Sequence, residues 1–511
     1  MDAPRPRGIV VFGGGTATNS LVDVFERIRE SRGCQLTYVI PISDNGGSSS
    51  ELIRVLGGPG IGDIRSRLVR LIPAAESDGE RAAIRALFNH RLSADPARAR
   101  LQWLDVVEGR DPLWAAVASE KRELVRSVFN HVNLEIVKRA RPSSVFNFAR
   151  ASIGNLFLTG ARIFTGSLES AIYLLSIICG IPPTVSTLPA INTNFTHHIC
   201  AGLVDGTQIT GQNAISHPSA PTALPENGNG AAAGAIADGV ASSASSRRSE
   251  TEEHDRIEDA TLPGSLPTLR KQYIEFHKGG GGAPSAPGPG TDNSSSNSAP
   301  DEPSGSSTSG GGGGDEDLPS RIARIWYINP YGHEIWPLAN PKVLAAVAGA
   351  GAVVYSIGSL YTSIVPSLVL RGVGAALARP GGPRYKVLVL NARADRETGP
   401  RGAALTAADF VRTVARAAAQ SRGGEGGDDA DAGQADARRY VTHLVYLEGP
   451  GAPRVDRAEL AALGVECVRA YGRRNAADGM LRYDEAGLAR ALEAVIGRPE
   501  ASRSRRNTSG Q

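Results

Sequence analysis

Histidine and cysteine are scarce in this chain, and neither sign of charge dominates it. The four cysteines, Cys34, Cys179, Cys200 and Cys467, are widely scattered and form no Cys-x-x-Cys pair. That argues against a disulfide framework or a structural zinc site and fits a reducing compartment. A net charge of +3 over 511 residues leaves no electrostatic footprint for nucleic acid. The most apolar run, Leu174 to Ile181, is too short to span a bilayer. The opening residues MDAPRPRG lack the apolar core and small-residue cleavage site of a signal peptide. These absences predict a cytoplasmic protein with no membrane and no nucleic-acid partner. Several chemistries are missing as well. There is no G-x-S-x-G elbow and no H-E-x-x-H. His197 and His198 are neighbours in an extended run, so they face opposite ways and do not share a metal.

What the chain has instead is glycine: 60 residues, together with 32 prolines. Part of it is linker. Residues 216 to 319 are dominated by Ala, Ser, Gly and charge, then by Gly, Ser and Pro, and cannot bury enough apolar surface to order themselves. The exception is a hydrophobic stretch within 261–278, expected to return to the fold. A loose loop is expected over 421–438 and a solvated tail over 498–511.

The remainder alternates short apolar runs with helical patterns. Strands are expected at Ile9–Phe12, Leu36–Ile42, Arg324–Ile328, Val353–Ile357, Tyr385–Asn391 and Tyr440–Leu447. Helical spacing covers Ile61–Ile72, Leu168–Ile178 and Val343–Val347. Ile199–Val204 and Gln208–Thr210 flank an Asp-Gly turn and read as a hairpin. The alternation predicts one α/β domain over 8–215 and 320–497: a Rossmann-like, doubly wound, mostly parallel sheet with helices on both faces, interrupted by long disordered insertions. Ligands of such sheets bind at the carboxyl ends of the strands.

Glycine-rich polar turns recur at those strand ends. Gly13, Gly14, Gly15 and Thr16 follow the first strand, where bare backbone and a helix start suit a phosphate, although a tight turn alone would also explain the glycines. ISDNGGSSS follows the second, with Asp44, Asn45, Gly46, Gly47 and Ser48. Asp63 opens a helix after GGPGIG, and Arg65 and Arg67 behind it either pair with phosphate or are solvated. Gly154 and Asn155 open another helix. Gly358, Ser359, Tyr361, Thr362 and Ser363 follow a late strand, and Asn391 ends the next. Neutral donors predominate at one common edge, as an anionic, sugar- or nucleotide-like ligand requires.

GGGTATNSLVDVF, ISDNGGSSSELIRVLGGPGIGDIRSRLVRL, IGNLFL and GSLYTSIVPSL resemble, in order, the motifs of the CofD/YvcK family. The likeness runs from about Gly8 to Ser216 and from Arg321 to about Thr398. It implies a Rossmann-like fold holding a nucleotide diphosphate conjugate. One branch of the family transfers a phosphoryl-linked three-carbon acid (2-phospholactate) from a guanosine diphosphate conjugate to a deazaflavin alcohol with magnesium. The other, the gluconeogenesis factors, binds UDP-sugars without a settled catalytic activity. The resemblance assigns Gly13, Gly14, Gly15 and Thr16 to the nucleotide-binding turn, and Asp44 and Asp63 to magnesium and catalysis. It assigns Asn45, Gly154, Asn155, Gly358, Ser359, Tyr361, Thr362, Ser363 and Asn391 to ligand binding; Gly46, Gly47 and Ser48 are expected there from the residue pattern alone, which an Asx turn and helix cap would also explain. The chain departs from the family at Asn45, where a second acid is usual, and at Ala151, where a histidine is common. Asn45 removes a charge from the magnesium site, and hard cations favour charged oxygen. Homo-oligomerisation and a protein partner held through the loops stay open at this stage.

Overall fold

The computed structural model describes residues 7–43, 46, 48–73, 79–141, 144–216, 317–329, 331–422, 436–475 and 479–497. Seven strands form its central sheet: β1 (Ile9–Phe12), β2 (Leu36–Ile40), β3 (Val185–Pro189), β8 (Ala352–Tyr355), β9 (Tyr385–Val389), β10 (His443–Tyr446) and β11 (Glu466–Arg469). All neighbouring pairs are parallel, in the order β11-β10-β9-β8-β1-β2-β3. Every residue of β1 and β8 is buried, as expected of central strands covered on both faces.

Alternation along these strands feeds two cores. Val10, Phe12, Val353 and Tyr355 point into the larger one; Ile9, Val11, Ala352 and Val354 point into the smaller. Among the described residues two long helices cover the smaller core, Val22–Arg32 and Glu485–Ile496, through Phe25, Ile28, Leu488 and Leu492. The larger core lies under Ser48–Leu56, Gly62–Arg70, Ile153–Thr165, Leu168–Ile178, Pro341–Gly349 and Ala407–Gln420. It continues into a helical excursion over Gly79–Arg139, where Trp103 and Trp114 are buried against Phe129. Each such side chain contributes about 1.5–3 kcal/mol by leaving water.

The chain is thus doubly wound, as the alternation implied. β1, β2 and β3 progress one way from the centre and β8 to β11 the other, so the winding reverses between β1 and β8. The expected late strand at Arg324–Ile328 is placed differently. Strand β6 (Ile322–Ile328) joins an antiparallel sheet with β4 (His198–Leu203), β5 (Gln208–Thr210) and β7 (Glu334–Ile335), in the order β5-β4-β6-β7. The Asp-Gly hairpin is present, but it recruits β6 as a third strand. Pairing across 119 residues (Leu203↔Ile322) has no signature in local spacing.

The insertion core at 217–316, including the element expected within 261–278, lies outside the described residues, as do 423–435 and 498–511. The chain is helical up to Ser216 and paired again from Ile322, and Ala437–Arg439 forms a short turn of helix. Described structure therefore intrudes on the edges of the loops expected at 216–319 and 421–438. No helix among the described residues is long and apolar enough to cross a membrane.

Candidate functional site

In open α/β sheets the crevice that takes a ligand lies beyond the carboxyl ends of the strands where the winding reverses, which here is between β1 and β8. The segments leaving those two strands meet there. Thr18, just after the glycine turn, donates its hydroxyl to the Ile357 carbonyl at 2.9 Å. Asn391, at the end of β9, clamps Gly358 from both sides: its amide donates to the Gly358 carbonyl at 2.9 Å and its carbonyl accepts the Gly358 N–H at 3.0 Å.

The three glycines are required by close approach. A Cβ on Gly14 would stand 2.8 Å from both Asp63 Oδ2 and Ser363 Oγ, and one on Gly15 would overlap Asp63 Oδ1. Asp63 occupies the first turn of the helix Gly62–Arg70, and its carboxyl rests against the turn. Arg67 follows one turn later on the same face. It is fully buried rather than solvated, and it donates Nη2 to the Gly14 carbonyl at 2.9 Å with its guanidinium 4.4 Å over the Tyr38 ring. Burial lowers its pKa to about 10, so it stays charged at neutral pH. In a trans peptide the carbonyl and the next N–H point in opposite directions. Arg67 therefore turns the Gly15 N–H away from itself. Among the described residues, the amides of Gly14, Gly15, Thr16 and Ala17 donate to no protein acceptor, while Thr16 and Ala17 are exposed. Such a run of unpaired amides at the start of a helix is a ready anion receptor.

The other expected residues divide. Ser359 and Ser363 are partly exposed beside the turn. Tyr361 and Thr362 are buried, and their donors are already committed. Both N–H groups go to Glu397 Oε2 (2.8 and 3.1 Å), the Thr362 hydroxyl to Glu397 Oε1 at 2.6 Å, and the Tyr361 hydroxyl to the Ile322 carbonyl at 2.9 Å. These two residues hold the wall of the crevice. Gly154 and Asn155 open the helix Ile153–Thr165 under an N-cap at Ser152, and the Asn155 carbonyl accepts from Arg65 Nε at 3.3 Å. Gly46 leads into the helix Ser48–Leu56. Asp44, Asn45, Gly47 and the side chain of Ser48 lie outside the described residues.

Sequence reading passed over Glu397. It is 1 % exposed, and burial, then the neighbouring Asp395, raises its pKa to about 8 despite three donors. Burial raises Asp395 as well, against the Ser359 hydroxyl that favours its charge. An acid after a strand looks solvated in sequence. Only its pairing with the amides of Tyr361 and Thr362, more than 30 residues away, reveals its task.

Comparison with known proteins gives the same ancestry for the whole site-bearing chain. The family model described as 2-phospho-L-lactate transferase CofD matches residues 9–470. A Saccharomyces cerevisiae protein, Uncharacterized protein YNL011C, is 36 % identical over 465 residues, 90 % of this chain and 94 % of that one. A gluconeogenesis factor of Halalkalibacterium halodurans is 25 % identical over 211 residues, 41 % of this chain and 46 % of that one. Among solved structures, protein BH3568 from Bacillus halodurans superposes with a TM-score of 0.51 at 17 % identity, covering 95 % of this chain and 99 % of its own. Another structure of that protein, described as a member of the UPF0052 family, gives the same score. The crevice at the winding reversal is therefore built on a shared fold, and the chain belongs to the CofD family.

Proposed function

We propose that this protein binds a nucleoside diphosphate or nucleotide-sugar across the crevice between β1 and β8 and, in its catalytic form, transfers the phosphoryl-linked group to an acceptor hydroxyl. The observation that carries this reading is the run of amides at Gly14–Ala17 without a protein acceptor among the described residues, with Arg67 on the Gly14 carbonyl, at the point where the sheet reverses its winding. Backbone amides at a helix start take phosphate oxygens and stabilise charge that builds on them during transfer. The site fits magnesium in one respect: the Asp63 carboxyl borders the amides, and Mg2+ is usually held by one or two carboxylates together with substrate phosphates. Asp63 would hold it, with Asp44 as second ligand, and the bound ion would neutralise charge on the diphosphate. Asp63 would orient the phosphates against the turn. Ser363 would supply a hydroxyl donor from the opposite wall, while the Ser359 hydroxyl is spent on Asp395.

A second reading, a non-catalytic sensor of a UDP-sugar, is favoured by Asn45 in place of a second acid and by the name of the bacterial relative. Thermal-shift titration with GDP, UDP and UDP-N-acetylglucosamine, with and without Mg2+, tests binding. A ligand at a hundred times its Kd should add about 2.7 kcal/mol to stability. Incubation with a guanosine diphosphate conjugate and a deazaflavin alcohol tests transfer. Turnover supports the enzyme; magnesium-independent UDP-sugar binding without turnover supports the sensor; no shift with any of these ligands removes both.

A further inference from the structure

After β11 the chain forms a two-stranded antiparallel ribbon, β12 (Gly472–Arg474) and β13 (Leu481–Tyr483). Its inner face is anchored. Tyr483 is buried and donates its hydroxyl to the Leu390 carbonyl at 2.7 Å, and Leu481 packs against the smaller core. Its outer face carries a conflict. Arg473 and Arg482 stand directly opposite each other in the register, and both are exposed. Like charges in that position repel. The Arg473 side chain is 84 % exposed, and its ion pair with Asp484 is long, at 3.8 Å. That acid already caps the helix Glu485–Ile496 by accepting the Gly487 N–H at 2.8 Å. Tyr471, two residues before Arg473, is 74 % exposed and continues the same face.

The edge of the ribbon is open as well. Asp484 donates its N–H to the Tyr471 carbonyl at 3.3 Å, and Asn475 donates to the Met480 carbonyl at 2.9 Å. Alternation along the ladder makes Arg473 and Arg482 the hydrogen-bonded pair between these two. Gly472 and Arg474 therefore turn their N–H and C=O groups outward. All three residues of β12 are exposed, and among the described residues its one strand neighbour is β13. A charge on an edge strand also serves to repel other strands. One arginine suffices for that. The second, on β13, adds a repulsion within the fold that an anionic neighbour relieves.

We propose that β12 receives an extended acidic segment of a partner protein as a third strand. The partner's main chain pairs with Gly472 and Arg474, and a Glu or Asp opposite Arg473 offsets the like-charge pair. Alternate side chains share a face, so the fitting segment carries acids at every second position. Neither a nucleic acid nor a lipid headgroup offers the complementary ladder of N–H and C=O groups. The ribbon flanks the crevice. Arg393, two residues beyond the Asn391 that clamps Gly358, donates Nη1 to the Met480 sulfur at 3.4 Å. The proposal stands independently of the nucleotide reading.

The test is fluorescence anisotropy of the full chain with a labelled peptide alternating Glu and Thr over about six residues, a usual strand length. Binding should weaken as salt rises. Arg473→Glu should weaken it by about tenfold or more while the melting temperature holds or rises, because an attractive cross-strand pair replaces a repulsive one. Arg474→Pro removes an outward N–H without breaking the ribbon's own ladder. It should weaken binding well beyond Arg474→Ala, which removes only the side chain. No binding of the peptide by the wild-type chain overturns the proposal, as does undiminished binding by Arg473→Glu or equal binding by the two Arg474 variants. A Lys–Thr peptide, a single-stranded RNA oligonucleotide or phosphatidylserine vesicles bound as tightly as the acidic peptide overturn it too.

Discussion

At the scale of single residues, contact distance explains the glycine turn. Gly15→Ala places a methyl group on Asp63 Oδ1, so either the acid or the turn must move. The expected outcome is nucleotide affinity lowered by about tenfold or more with a circular dichroism spectrum like that of the wild type. Arg67→Met tests the support beneath. It leaves the buried Gly14 carbonyl without a donor, a cost of about 1–3 kcal/mol. It also removes Nε and Nη1, which are buried without partners, and that offsets part of the loss. Urea unfolding should register a net change below about 2 kcal/mol, while ligand affinity falls much further because the peptide is no longer held. Glu397 carries the pH dependence. Its folded pKa, about 8, lies above the ordinary 4.5. Between those values the unfolded chain has released this proton and the folded chain has kept it, so stability falls as pH rises through the window and levels off above about 8. Glu397→Gln should flatten that part of the profile in melting curves taken from pH 5 to 9. Glu397→Ala should lower stability at every pH, because three donors lose their acceptor.

At the scale of elements, caps and staples decide how helices join the sheet. Asn340 caps the helix Pro341–Gly349 by accepting the Lys342 N–H at 3.0 Å. Its amide donates to Glu169 at 2.7 Å and to the Pro189 carbonyl at 3.2 Å, and its own N–H goes to the Ala190 carbonyl at 2.8 Å. One side chain thus ties the end of β3 to two helices, and Lys342 closes the group on Glu169 at 2.6 Å. Asn340→Ala should cost about 2–4 kcal/mol in chemical denaturation, the sum of a lost cap and of a buried Glu169 Oε1 left without its donor while Oε2 keeps Lys342. The cap has a local signature, Asn before Pro at a helix start, which the sequence reading did not single out; its reach to Glu169, 171 residues away, has none. The same division holds for the strands. β1, β2, β8, β9 and β10 were visible as short apolar runs, whereas β6 was visible as a strand but not in its partner or direction.

At the scale of the whole molecule, the segment 217–316 interrupts the chain between two elements of one small sheet. Among the described residues β4 and β6 pair directly, with β5 and β7 on either side of them, so these four strands form their ladder from the flanking chain alone. Replacing 217–316 with a short Gly/Ser linker should leave a single cooperative melting transition within a few degrees of the original and the same nucleotide shift. Loss of cooperativity would show that the segment contributes to the core.

The amino-acid order by itself determined the α/β alternation, the glycine-rich turns at strand ends and the family, because apolar periodicity and short turn motifs are local and survive divergence. Tertiary structure alone decided what those turns do. It set Arg67 under Gly14, turned Tyr361 and Thr362 toward Glu397, and seated Arg65 on Asn89 and Asn155. Each of these pairings joins residues from different elements, and a hydrogen bond between distant segments leaves no periodic trace in either. Whether a polar side chain faces a ligand, a carbonyl or solvent is fixed by which helix packs on which strand.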